Sequence, residues 1–200
     1  MMGKTHLAVG LATAFAVMHP ENVGEALIAV IGGTVGGVIA DSDILDNDHR
    51  LDTFSVQLAA AAVTIAALVF DYFGGFGICE SIAEDVPRAV SGGVVLAVLW
   101  ILGVISSHRT FTHSLTALVL FSFAVGMIYA PFRPVFAAAY VSHIVLDLTN
   151  KRKLPILYPL KLGVCLKLFY ADGLANRIFF TLGCVASGAL TLAAVLEILL

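Results

Sequence analysis

The sequence predicts an all-α fold: a polytopic transmembrane bundle of about six to seven helices, forming one integral-membrane domain over residues 1–200. Three observations predict it. Hydrophobic residues make up 60% of the chain and charged residues 12%, against the roughly half-apolar, quarter-charged make-up of soluble domains. Apolar runs of bilayer-crossing length, about 20 residues, recur along the whole chain. Between them the basic residues are distributed unevenly, as they are around membrane spans.

The runs are taken in order. The first, 5–18, is short: its roughly 14 residues rise about 21 Å, less than a hydrocarbon layer of about 30 Å, so it crosses only with local thinning or polar extensions. The second, 23–40, contains "GGTVGG", which puts Gly32 before Gly36 and Gly33 before Gly37 at the small-xxx-small spacing that lets helix backbones approach closely. Runs at 55–73, 89–106, 115–131, 133–149 and 178–197 complete the set. Polar connectors separate them: "HPEN" at 19–22, "DSDILDNDHRLD" at 41–52, "GGFGICESIAEDVPR" at 74–88, "SHRTFTH" at 107–113, and a long one from 150 to 177. Within the last, "PILYPLKLGVCLKLFY" at 155–170 alternates apolar and basic residues after a proline, which reads either as a short hairpin or as an interfacial segment.

Cys79, Cys165 and Cys184 are odd in number and far apart, so neither a disulfide framework nor a thiolate zinc site is expected. A net charge of −3 is too slight to point to nucleic acid, and none is expected as a partner. With seven crossings and a cytoplasmic amino terminus, Lys4, Arg50, Arg109, Lys151, Arg152, Lys153, Lys161, Lys167 and Arg177 fall inside and Arg88 and Arg133 outside. This bias predicts a multi-pass protein of the cytoplasmic (inner) membrane.

On that topology, polar residues from distant parts of the chain reach one membrane face. His6 begins the first helix, Asp41 and Asp43 follow the second, His108 and His113 lie between the fourth and fifth, and His143 and Asp147 end the sixth. His49 lies on the same side, and His19 on the other. His143 and Asp147 are four residues apart, about 40° around a helix, so both side chains can face one point. Thr112 or Ser114 can cap the helix that follows His113. Ionisable groups near hydrocarbon persist when paired, hydrated or metal-bound. Imidazole and carboxylate without thiolate suit zinc, with manganese, iron or magnesium as alternatives. The expected ligands are His6, Asp41, Asp43, His113, His143 and Asp147, around one or two divalent ions.

"THLAVG" at 5–10, "DSD" at 41–43, "HRTFTHSL" at 108–115 and "SHIVLDLT" followed by "LPILYPL" resemble the YdjM-like family of predicted membrane-bound metal-dependent hydrolases. The resemblance runs in order from residue 5 to about 160. Three positions depart from that family's pattern: Ala40 stands for a proline, Ile44 for a histidine and Thr110 for a glycine. The resemblance implies a hydrolase without naming a substrate.

Together these readings give the expected function: a hydrolase at the cytoplasmic membrane surface, acting through metal-activated water on a phosphoester such as a lipid headgroup. His108 is expected as a ligand or proton shuttle, and Arg109, which can bond two oxygens at once, as the phosphate-binding residue. Membrane lipids are the expected partners, and the oligomeric state is left open. The alternatives are an ion or metal transporter or metal-responsive membrane protein, and a scaffold tied together by hydrogen bonds.

Overall fold

A computed structural model describes residues 1–43, 50–107, 109–160 and 162–200. Among them run eight α-helices: α1 (Gly3–Met18), α2 (Val23–Val38), α3 (Arg50–Gly74), α4 (Ile78–Glu84), α5 (Val86–Ile105), α6 (Leu115–Ile128), α7 (Phe132–Leu148) and α8 (Leu174–Leu199). A 3-10 segment, Ile39–Asp43, extends α2. Each apolar run of the sequence became a helix. Among the described residues four stretches are long and apolar enough to cross a membrane: Val23–Asp43, Thr53–Gly74, Val86–Ile105 and Leu174–Leu199; α6 is a shorter apolar helix.

The starts are written in the local sequence. Asn22 accepts a hydrogen bond from the Glu25 N–H at 2.9 Å and caps α2. Asp85 accepts from the Arg88 N–H and caps α5, with Pro87 in its first turn, where a missing N–H costs nothing. Ser114, one of the two predicted caps, accepts from the Ala117 N–H at 3.1 Å and starts α6.

Helix α2 is the axis of the bundle, and its glycines explain why. Gly33 and Gly37 face α1: a Cβ on Gly33 would stand 2.6 Å from the Ala14 Cβ, and one on Gly37 would stand 2.8 Å from the His6 carbonyl oxygen. Gly32 and Gly36 face α7, where a Cβ on Gly36 would lie 2.5 Å from the Phe136 carbonyl oxygen. Two glycine pairs on two faces thus seat α2 between α1 and α7 at backbone contact, the packing that small residues permit where lipid supplies no hydrophobic drive. Around this centre α3, α5 and α8 expose most of their surface, and more than half of the α2 span is buried.

One connector differs from expectation. The stretch 74–88 holds a helix, α4, whose N-terminal N–H groups at Ile78 and Cys79 donate to the buried Asp71 carboxylate at 3.1 and 2.7 Å. Seven residues after a glycine-rich turn are too few for an apolar period to show. The described residues of 155–170 double back as the hairpin reading expects, through an isolated antiparallel bridge in which Leu154 and Val164 exchange two backbone hydrogen bonds of 2.9 Å.

A candidate metal centre

Each of the six predicted ligands is buried, with exposures of 0% for His6, His113 and His143, 1% for Asp147, 3% for Asp43 and 5% for Asp41. The structure brings them together. His6 Nε2 lies 3.3 Å from Asp147 Oδ1, His143 Nε2 lies 3.6 Å from Asp41 Oδ1, and His113 Nε2 lies 3.4 Å from Asp147 Oδ2 and 3.7 Å from Asp41 Oδ1. The His6 and His143 rings stack with centroids 3.7 Å apart. Two triads, His6–Asp41–His143 and His113–His143–Asp147, each offer ligand atoms within 4.8 Å of one another.

The elements that carry these groups explain the convergence. His6 sits in the first turns of α1, His143 and Asp147 in the last turns of α7, and Asp41 in the 3-10 turn after α2. Against the α2 glycines α1 packs antiparallel and α7 parallel, which brings those ends level. His143 Nδ1 then donates to the Gly37 carbonyl at 2.8 Å. Because a carbonyl only accepts, the Nδ1 proton is fixed there and the Nε2 lone pair faces the cluster. This is the outer bond that orients a metal-binding imidazole.

His113 is held in the same sense. The Thr112 hydroxyl donates to Asp43 Oδ2 at 2.9 Å, and the Arg109 N–H donates to the same oxygen at 2.8 Å. His113 Nδ1 lies 3.3 Å from that carboxylate and 3.1 Å from the Thr112 oxygen. Asp43 therefore stands behind His113, turning its Nε2 toward Asp41 and Asp147, and is absent from both triads. The sequence reading placed Asp43 among the ligands; here it lies against His113 Nδ1 and outside both triads. Thr112, read only as a cap candidate, supplies the bond that holds Asp43, while Tyr140 donates its hydroxyl to the Thr112 carbonyl from α7.

Arg109 enters from the loop. Its Nη2 lies 3.3 Å from Asp147 Oδ2, and its Nε and Nη1 are buried with no hydrogen bond. The Met1 amine also donates to Asp147. The proposed proton shuttle His108, and His49 beside Arg50, lie outside the described residues.

With the geometry established, kinship can be set beside it. A profile described as YdjM inner membrane protein matches residues 1–200. The chain belongs to the YdjM inner membrane protein family. Comparison with curated proteins and with solved structures returned no match. Membership agrees with the apolar helices and makes this an inner-membrane protein. One departure from the YdjM pattern is explained by the fold. The loop residue with a left-handed backbone is Arg109, at φ 61°, and not Thr110, so the missing glycine leaves no strained position behind it. Thr110 instead donates its hydroxyl to the Ser107 carbonyl at 2.5 Å.

Electrostatics in the loop give a pH dependence. Burial, the largest influence on His113, works against protonation; hydrogen bonding to Asp147, Asp41 and Asp43, with the charge of Asp43, outweighs it and holds the pKa well above the ordinary 6.5. A raised folded-state pKa contributes stability that is fully present below about 6.5 and lost as pH rises through the folded value. A cation taking Nε2 must displace that proton, so its affinity moves the other way. Melting of the metal-free protein is therefore expected to fall as pH rises from 6 to 9, while the increment produced by added Zn²⁺ grows, both read by thermal unfolding in detergent.

Proposed function

We propose that this cluster holds one divalent ion and that the chain is a hydrolase cleaving a phosphoester at the membrane surface. The observation that carries the reading is a set of buried polar atoms that converge without hydrogen-bond partners. His6 Nδ1 and Nε2 and His143 Nε2 are all buried without a hydrogen bond. Leaving such groups unsatisfied costs about 1–3 kcal/mol each. A cation among them would remove that penalty. The donors, three imidazoles and two carboxylates, fit zinc, manganese or iron.

The count follows from His143. Its Nδ1 is committed to Gly37, so both triads use the same Nε2, and one lone pair serves one ion. His6, Asp41, His113, His143 and Asp147 would hold that ion between them. Bound there, it would supply Lewis-acid activation of a water molecule.

The chain's own residues do the rest. Arg109 turns two unpartnered guanidinium nitrogens to the phosphate and keeps its third on Asp147. The fork binds two phosphate oxygens at once and favours the charge that develops during attack. Water adds to phosphorus as its proton passes to Asp41 Oδ2, the carboxylate oxygen left without a partner. The phosphorus–alkoxy oxygen bond breaks, and the alkoxide takes that proton back from Asp41 to leave as the alcohol, which restores the carboxylate. The site gathers at helix ends, a position suited to headgroup chemistry, where transport sites favour the bilayer midplane on interrupted helices. The lopsided basic residues favour the cytoplasmic side for that end.

Phosphate release from a soluble aryl phosphate and from micellar phosphatidate tests the reading. Release that requires Zn²⁺ or Mn²⁺ is the expected result. Arg109→Gln is expected to lower kcat/KM about a hundredfold, through both KM and kcat, with metal content unchanged. An Arg109→Gln enzyme as active as the parent would remove phosphate recognition from this residue.

A further inference from the structure

Residues 151–170 join α7 to α8 at the end of the bundle that carries the candidate metal cluster, and the described residues among them form no helix. Backbone hydrogen bonds anchor them to α6 and to the end of α7. Leu154 is fully buried, Leu115 donates its N–H to the Ile156 carbonyl at 2.9 Å, Thr116 donates its hydroxyl to the Tyr158 carbonyl at 2.6 Å, and Leu166 donates its N–H to the Leu148 carbonyl at 2.8 Å. Otherwise the apolar side chains turn outward. Leu157, Leu160, Leu162, Leu166 and Leu168 are 52% to 65% exposed, and Tyr158 and Tyr170 are exposed as well. Scattered apolar residues are ordinary on any surface. A run this dense on a loop marks a contact with protein or membrane.

Charge and position select between those two. Lys151, Arg152, Lys153 and Lys167 are exposed along the same segment, and no acidic residue occurs from 151 to 171. The Lys151 ammonium sits 3.7 Å from the centre of the Tyr170 ring. Leucine stems with lysine heads and tyrosine rings are the composition of a segment lying where acyl chains give way to phosphates. The level is right too, since α8, long enough to cross a bilayer, starts at Leu174.

The geometry points to residues 151–170 as an interfacial belt that binds anionic phospholipid, leucines among the upper acyl carbons and basic residues at the phosphates. This goes beyond the hydrolase reading and stands without it, on the loop's own exposure and charge. If that reading holds, the bonds to Leu115 and Thr116 set captured headgroups beside the His113 motif.

Cys165, partly exposed within the belt, gives a native probe. In a Cys79→Ala, Cys184→Ala background it is labelled with an environment-sensitive fluorophore, and the full chain is placed in phosphatidylcholine vesicles with or without phosphatidylglycerol. The expected result is blue-shifted emission, quenched more by lipid spin-labelled at acyl carbon 5 than at carbon 12. Spin-labelled phosphatidylglycerol should quench with an apparent association about fivefold or more above phosphatidylcholine, the pull of one or more basic residues at the surface. K151Q/R152Q/K153Q/K167Q should bring that ratio toward one. Three results would each overturn the proposal: water-like emission untouched by either quencher, equal quenching by the two lipids in the unsubstituted belt, or Cys165 shielded by cross-linking to a second copy. The first two use the unsubstituted belt, so they decide the matter even if the fourfold variant inserts poorly.

Discussion

Replacing Asp147 with Asn is expected to abolish metal binding with little change in side-chain shape. Asp147 meets His6, His113 and Arg109 within 3.3–3.4 Å and accepts from the Met1 amine, so it is the carboxylate on which the cluster turns. Losing one orienting partner of a metal ligand costs about 10- to 100-fold in affinity, and losing a ligand's charge should cost at least the upper figure. The stabilisation by metal, about 2.7 kcal/mol at a hundredfold excess over Kd, should vanish with it. The metal-free variant should also melt lower, because Arg109 keeps its buried charge and loses its counterion. An Asp147→Asn protein whose Tm still rises with Zn²⁺ as the parent's does would remove Asp147 from the ligand set.

The second large effect is expected from the glycines of α2. Gly36→Ala puts a methyl 2.5 Å from the Phe136 carbonyl oxygen and 3.0 Å from the Ala139 Cβ, so the α7 backbone has to move. Overpacking of this kind costs about 1–3 kcal/mol. Gly37→Ala meets the His6 carbonyl at 2.8 Å and disturbs the residue whose carbonyl fixes His143, so it should weaken metal affinity beyond its cost in stability. Gly93 supplies the control. A Cβ there has nothing within 4 Å, and in an α5 interior alanine is favoured over glycine by about 0.5–1 kcal/mol. Thermal unfolding and Zn²⁺ titration of the three variants should rank Gly93→Ala at or above the parent, with both α2 variants below it. Equal behaviour of all three would contradict the close-packed axis.

Much of this was legible because membranes simplify the reading. Runs from 23–40 to 178–197 became helices, since every backbone polar group in lipid has to be satisfied within the segment. Placing helix ends then brings His6, Asp41, His113, His143 and Asp147 to one face, and the structure puts their polar atoms within hydrogen-bonding and ion-pair range. What stayed hidden depends on backbone paths. The position of Asp43 behind His113 follows from the curve of a 3-10 turn, and nothing in "DSD" separates its two acids. The partner of His143 is a carbonyl, which any residue at Gly37 would carry. Helix α4 is too short to announce itself beside glycines, and its organiser, Asp71, lies in the helix before it. The glycine pairs were visible as spacing, but which pair meets α1 and which meets α7 depends on rotation about the helix axis.

The central claim is that one divalent ion belongs to the five converging donors. Elemental analysis of the full-length protein, purified in detergent without chelator and supplied with zinc, manganese and iron, tests it most directly. About one equivalent per chain is expected, falling below about a tenth in Asp147→Asn. A parent protein with no bound metal, with about two equivalents, or with the same content as Asp147→Asn would contradict it.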